Sequence, residues 1–335
     1  MSDCATLHGV KHSEVNHGGA LGSCDADVLS VADQRLVAAL QCDGRTAAER
    51  LANVLGMSTR EVHRRLRTLT RQGTVRIRGR LAQPRDLGAV QLRIRVLRGR
   101  LEQIAAVLAA REDIPFLDVS AAGDEIHAIQ FTRGSTPRNR LLFQQLPATS
   151  AVTSVEAQTV LHVFRQAHEW RLDVLDPAER QALTPPPAAT SGREPDETDR
   201  AVAAALAEDG RLSASVVAEC TGHPASTVRR RLAALLAEGL LRTEVVVDPR
   251  CLGLHVDANL WLQLPPDRLD AAGRTLAAHP AVHGALAGTG RSNLSLALWV
   301  PDTAALYRFI SEDLTGLGIT AAETFLVGRA VKRPG

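Results

Sequence analysis

The sequence predicts an α+β protein of two tandem modules, each a helix-turn-helix (winged) unit followed by a ferredoxin-like βαββαβ unit. Three observations carry that prediction. The chain repeats itself at an offset of 166 residues: "DQRLVAALQCDGR" from Asp33 returns as "DRAVAAALAEDGR" from Asp199, and Arg64-Arg65-Leu66 returns as Arg230-Arg231-Leu232. Self-similarity of this kind marks a duplicated structural unit. Each copy opens with three short helical patterns parted by glycines, the first copy's third pattern being rich in arginine. Each copy then runs strand, helix, two strands, helix, strand, which is the split-βαβ order.

Composition narrows the class. A length of 335 residues with 45% hydrophobic and 23% charged residues fits a globular chain of roughly two to four domains. Aromatic residues make up 3%, so Leu, Val and Ala must build the cores. The net charge of +2 hides an uneven distribution: from Arg60 to Arg100, thirteen arginines stand against Glu61 and Asp86. A field of that sign recruits polyanions, of which nucleic acid is the commonest. The five cysteines (Cys4, Cys24, Cys42, Cys220, Cys251) are odd in number and form no C-x-x-C, the pattern of reduced thiols rather than a disulfide framework. No apolar run approaches the roughly 18 residues of a membrane span, and no secretory leader pattern is present, so a cytoplasmic protein without membrane contact is expected. Residues 1–28 are Gly-, His- and Ser-rich and read as a flexible tail. Cys4, His8, His12, His17 and Cys24 are too irregularly spaced there to predict a metal site. No cofactor is expected.

In the first copy, Asp33 can cap a helix whose Leu36, Val37 and Leu40 fall on one side. "CDGR" from Cys42 breaks it. "TAAERLANVL" is a second helix, stopped at Gly56, and Ser58 with Glu61 forms an S-x-x-E capping box for a third. "RIRGR" from Arg76 reads as a glycine-turned basic hairpin, completing a DNA-binding unit over 29–82. A βαββαβ unit follows over 89–165, with a turn at Gly123-Asp124 between its middle strands. Such a sheet has helices on one face only, so the copies should pair within a chain or between chains, as a homodimer or larger. The segment 176–195, with "LTPPPAATSGREPDE" from Leu183, is a proline-stiffened linker. The second copy gives the corresponding units over 196–247 and 254–333.

The third helix of the first copy carries the functional signal. Val62, Leu66 and Leu69 form a narrow inward stripe, while Arg60, Arg64, Arg67 and Arg71 fall almost opposite. Like charges at i,i+4 cost about a few tenths of a kcal/mol per pair, and phosphates would relieve that repulsion. Together with Ser58, Thr59 and His63 near the helix start, and Arg76, Arg78 and Arg80 in the hairpin, they form a candidate interface for double-stranded DNA. The second copy keeps Val228, Leu232 and Leu235 inward but offers Ser226, Arg230, Ala233 and Ala237 outward. Arg229 and Arg231 lie on the flanks, Thr227 is a further candidate contact near the helix start, Pro224 replaces the capping serine, and Glu244 and Asp248 enter its hairpin. Its DNA-facing chemistry is thinner.

In this order, twice over, a helix-turn-helix with "DGR" at Asp43 and Asp209, "RRL" at Arg64 and Arg230, "LG" at Leu87 and Leu252 and "GD" at Gly123 resembles the Lrp/AsnC (feast/famine) transcriptional regulators. The resemblance covers about 29–165 and 196–333. It implies that the N-terminal part of each module binds DNA, while the C-terminal part pairs subunits and often senses amino acids or related small molecules. The family's usual chain has one module, so this one resembles a tandem variant or pseudodimer. The resemblance places an effector site at Gly123 and Asp124 and at Gly290, Arg291 and Asn293 of the second copy, where the family commonly has G-x-x-D. Sirohaem decarboxylases resemble the same architecture and would need His and Arg lining a tetrapyrrole cavity. His127 and His162 lie on predicted strands, but their positions in the second copy are Leu294 and Arg329, and the arginine stripe has no use in such an enzyme. A co-regulator that touches DNA weakly is a third reading. No G-x-S-x-G, P-loop or G-x-G-x-x-G occurs, so no catalytic residue is assigned.

Overall fold

The structure, a computed structural model, describes residues 28–82, 88–132, 141–146, 149–189 and 192–333. Residues 1–27, with their Cys and His, and the markers Pro84 and Leu87 lie outside the described residues.

The first module starts with α1 (Val31–Cys42), α2 (Ala48–Leu55), α3 (Thr59–Arg71) and β1 (Val75–Leu81). Ser30, not Asp33, caps α1, its hydroxyl accepting from the Asp33 N–H at 3.2 Å. Gly56 ends α2 at φ +67°, where a side chain would be strained. The predicted inward residues Leu36, Val37, Leu40, Val62 and Leu69 are buried together with Leu51 and Leu55. Next come β2 (Gly88–Val96), α4 (Leu101–Ala109), β3 (Phe116–Ser120), β4 (Glu125–Thr132), a π-helical turn at Leu141–Gln145, and the 14-residue β5 (Val152–Arg165).

The chain then returns to the first helical unit instead of leaving it as a linker. Trp170, Leu172 and Leu175 join the core beneath α1 and α2. Residues 177–183 form α5 (Pro177–Leu183), started by a capping box between Asp176 and Glu179. Its Leu183 is buried against the same core, worth roughly 1.5–3 kcal/mol, and Glu179 pairs with Arg35. The proline-rich composition hid this helix because its apolar anchor is a single leucine.

The second module repeats the plan with α6 (Glu197–Ala205), α7 (Ala214–Thr221), α8 (Ala225–Ala237) and β6 (Leu241–Val247), then β7 (Val256–Gln263), α9 (Pro266–Ala278), β8 (Val282–Gly288), β9 (Leu294–Val300), α10 (Thr303–Arg308) and β10 (Ala321–Lys332). Cys42 is a free thiol, whereas Cys220 and Cys251 are disulfide-bonded, against the reduced set the odd count predicts.

The sheets correct the expectation of two separate ferredoxin-like units. All eight strands close into one barrel, in the order β10-β3-β4-β2-β5-β8-β9-β7. Within it each module keeps the ferredoxin-like order of fourth, first, third and second strand. The long fourth strands make the closure. Val90–Val96 of β2 pairs with the first half of β5, whose second half pairs with β8 from Val160↔Gly288 to Arg165↔Ala285. In the same way β10 pairs first with β7 and then with β3, from Val327↔Ser120 to Lys332↔Leu117. Each module thereby covers the other's open edge, which a closed sheet removes altogether. The apolar faces turn outward onto the helices: Leu92, Ile94 and Ile126 pack with α4, and Leu260, Leu296 and Leu298 with α9 and α10. The inner face is polar and aromatic, with Arg93, Asp118, His127, Asn259, Trp261 and His283 all buried.

Candidate nucleic-acid interface

The α3 helix begins as predicted, with the Ser58 hydroxyl accepting from the Glu61 N–H at 3.1 Å. Only half of the capping box forms, because the Glu61 carboxylate turns to Arg65 at 2.8 Å. Arg65 also reaches Asp33 at 2.9 Å, tying α3 to the start of α1. Its counterpart Arg231 meets Asp196 at 2.8 Å and Asp199 at 3.6 Å. The doubled arginine of each copy therefore divides its labour: the second locks the helix, and the first, Arg64 or Arg230, faces solvent.

Arg60, Arg64, Arg67 and Arg71 are all exposed, as are Ser58 and His63, with Thr59 half-buried. Among the described residues none of the four arginines meets a carboxylate. On α8, Ser226, Arg229 and Arg230 are exposed and Thr227 half-buried, beside exposed Ala233 and Ala237. Pro224 supplies no side-chain cap.

The basic hairpin does not form. β1 is one strand that pairs antiparallel with β6 of the other module, from Val75↔Val247 to Leu81↔Leu241. Val75 and Ile77 are drawn into the helical core, which leaves too few residues for a strand to fold back on itself. The same holds for the second copy's hairpin. Gly79, read as a turn, is instead a point of close approach: a Cβ there would lie 2.7 Å from that of Leu206. The wing arginines accordingly face the seam. Arg78 pairs with Glu208 at 3.4 Å and Arg80 with Glu244 at 3.1 Å, and Arg76 is half-buried. They are less available to DNA than their sequence positions imply.

The seam also uses the two D-G-R loops reciprocally. Arg45 donates to the carbonyls of Gly210 and, at 3.1 Å, Leu212. Arg211 donates to Gly44 at 2.5 Å and Thr46 at 3.0 Å. Gly44 and Gly210 are needed at this closeness, since a Cβ would fall 2.8 Å from Thr243 and from the Arg78 backbone. "DGR" occurs once per copy at the same offset of 166 residues, the sequence sign of a symmetric contact.

The predicted effector loops sit against the opposite module. Gly123 has φ +74°, and Asp124 accepts from the Ser120 hydroxyl at 3.1 Å. The Ala121 N–H beside it donates to Leu326 of β10 at 2.9 Å. In the second module Gly290 has φ +102°, Arg291 is exposed, and Thr289 exchanges backbone and hydroxyl bonds with Thr159 of β5 at 2.9 and 3.0 Å. Asn293 is committed elsewhere: its amide accepts from the Leu264 N–H and donates to the Leu264 carbonyl, each at 2.9 Å. His162 is exposed, whereas His127 is buried inside the barrel. Among the described residues no group of three or more His, Cys, Asp or Glu is placed to hold a metal ion.

The model of the AsnC-type helix-turn-helix domain matches residues 29–70 and 196–236, and that of the Lrp/AsnC ligand binding domain matches 257–335. An uncharacterized HTH-type transcriptional regulator of Pyrococcus horikoshii is 33% identical over 134 residues, covering 39% of this chain and 85% of that protein. The chain belongs to the Lrp/AsnC family. A second such regulator, from Pyrococcus abyssi, is 32% identical with the same coverage. The Lrp/AsnC chain also superposes on the siroheme decarboxylase NirDL in co-complex with an iron-uroporphyrin III analogue, with a TM-score of 0.60, 14% identity and coverage of 90% of this chain and 92% of that one. At that identity the likeness is one of fold alone. The chain is an Lrp/AsnC-type, DNA-binding transcriptional regulator. No helix among the described residues is long and apolar enough to cross a membrane.

Proposed function

We propose that one chain reads an asymmetric double-stranded operator as a built-in dimer, with the 29–82 unit as the dominant reader and the 196–247 unit as the weaker one. The contrast between α3 and α8 across the fixed seam carries this reading: four unpaired outward arginines on one helix against Arg229 and Arg230 on the other. Phosphate contacts position such a helix, and Arg60 or Arg64 near its start can read guanine edges bidentately. Each phosphate contact contributes about 0.9 to the slope of log K against log salt. Replacing Arg64 and Arg67 together with alanine should therefore flatten the slope by about one to two, and replacing Arg229 and Arg230 should do less. An anisotropy titration of both double variants at several salt concentrations tests this. Equal losses would make the two units matched half-site readers.

The 89–165 and 254–333 units sense a small effector of the amino-acid class beside Gly123-Asp124 and Gly290-Arg291, with Asn293 shaping the second loop. Self-association of whole chains uses the exposed apolar side chains Leu161, Val163 and Leu326 of the fourth strands. The regulator works in the cytoplasm, where its DNA lies.

A further inference from the structure

The residue that follows β10 reaches into the barrel with its side chain. The Arg333 guanidinium bridges Asp118 of β3 and, at 2.8 Å, Asp257 of β7, one carboxylate from each module. Its carbon lies 4.2 Å from the ring centre of Phe116, the arrangement of a cation over an aromatic face. Asp118 is fully buried and also accepts from the Asn259 amide at 3.4 Å. Two side chains bordering this recess have no partner: both ring nitrogens of His127 and of His283 are buried without a hydrogen bond among the described residues. His283 Nε2 stands 4.0 Å from Asp257. Burial keeps both rings neutral, with the nearby Arg333 adding to the effect, so His127 is pushed down to about 3 and His283 also falls well below its usual value. A neutral ring keeps an acceptor nitrogen, so the recess offers more acceptor capacity than Arg333 uses.

Barrel closure does not account for Arg333. The equivalent position after β5 is Gln166, which is exposed and starts a short helical turn; the first module closes its end of the barrel with no such arginine. Arg333 lies outside β10, with its guanidinium Nη1 buried and its side chain as a whole 22% exposed. The residue can leave without breaking a strand.

We propose that the Asp118–Asp257–Phe116 recess is a guanidinium-binding site spanning both sensing units, occupied by the chain's own Arg333 and open by exchange to a free guanidinium-bearing small molecule of the arginine class. This site is distinct from the Gly123 and Gly290 loops and does not rest on how DNA is read. A planar fork matches two carboxylates in a way that an alkylammonium does not, and the unused histidine nitrogens can accept from a free ligand's further N–H groups.

The test is thermal unfolding of Arg333→Ala titrated with N-propylguanidinium, with N-propylammonium and sodium chloride as controls. The guanidinium should raise the melting temperature saturably in the millimolar range and the ammonium should not. Asp118→Asn in the same background should abolish the response. The unaltered chain should respond to the same probe only at about twofold or more higher concentration, because a short tether presents Arg333 as a competitor at a millimolar effective concentration. Should Arg333→Ala prove too unstable to purify, Arg333→Lys carries the same titration. Equal responses to guanidinium and ammonium, a response that survives Asp118→Asn, or no saturable response in the unaltered chain would each overturn the proposal.

Discussion

The reciprocal arginines of the seam give a quantitative test of how the two helix-turn-helix units are coupled. Arg45→Ala removes two hydrogen bonds from a guanidinium to the carbonyls of Gly210 and Leu212, and Arg211→Ala removes the mirror pair at Gly44 and Thr46. A hydrogen bond from a charged donor is worth about 1.5–3 kcal/mol when buried. Here both side chains are only partly buried, and water can replace some of what is lost. Burial, and for Arg45 also the nearby Arg211, holds each guanidinium below its usual range, so part of the gain is already offset. About 2–3 kcal/mol per single variant is the resulting expectation, or roughly 4–12 °C in melting temperature for a unit of 150–250 residues. Because each single variant also relieves the repulsion between the two cations, a relief the double variant can count only once, the double should lose about 1 kcal/mol more than the sum of the singles. Chemical denaturation of all four proteins gives the cycle. A parallel titration on DNA carrying two half-sites against DNA carrying one should show the loss concentrated on the former. Strict additivity with single losses below about 0.5 kcal/mol, or equal effects on both DNAs, would mean that the seam neither holds the units together nor sets their spacing.

Other outcomes follow from the same geometry. Arg78→Ala and Arg80→Ala should lower stability by breaking the pairs with Glu208 and Glu244 yet leave the salt slope of DNA binding unchanged; a flatter slope would return the wing to the interface. Asn293→Ala should cost about 1–3 kcal/mol, because the Leu264 N–H and carbonyl lose their partner, whereas Asp124→Ala should alter only the effector response. Acidification should destabilise the barrel: His127 stays neutral in the folded state down to about 3, so its contribution is present above about 6.5 and falls by about 2 kcal/mol by pH 5. His283 adds to the loss, while Asp118, pushed up to about 6 mainly by burial, opposes it by taking up a proton. Denaturation midpoints at pH 7.5 and 5 should therefore converge in His127→Gln.

What the sequence made legible, and what it did not, separates along one physical line. Helices are local, so the stripe Val62-Leu66-Leu69, the stops at Gly56 and Gly222 and the arginines opposite the stripe could be read from spacing alone. Strand pairing is not local. The alternation in "VRIRGRL" says that a strand exists but not what lies beside it, and so a ribbon shared with residues 241–247 looked like a hairpin. The lengths of β5 and β10 were visible, yet nothing in their pattern distinguished a long strand of one sheet from a strand split between two neighbours. His283 and Arg333 were missed because their burial comes from that closure. The closure also explains why the readers can differ. A dimer of single modules must present two identical helices, and any mixture of unlike modules would assemble at random. Here β1–β6, β5–β8 and β10–β3 are all contacts within one polypeptide, so every molecule pairs one α3 with one α8. The divergence of Arg60, Arg67 and Arg71 into Ser226, Ala233 and Ala237 is then a fixed property of each chain, and an operator with unequal halves can be read in a single orientation.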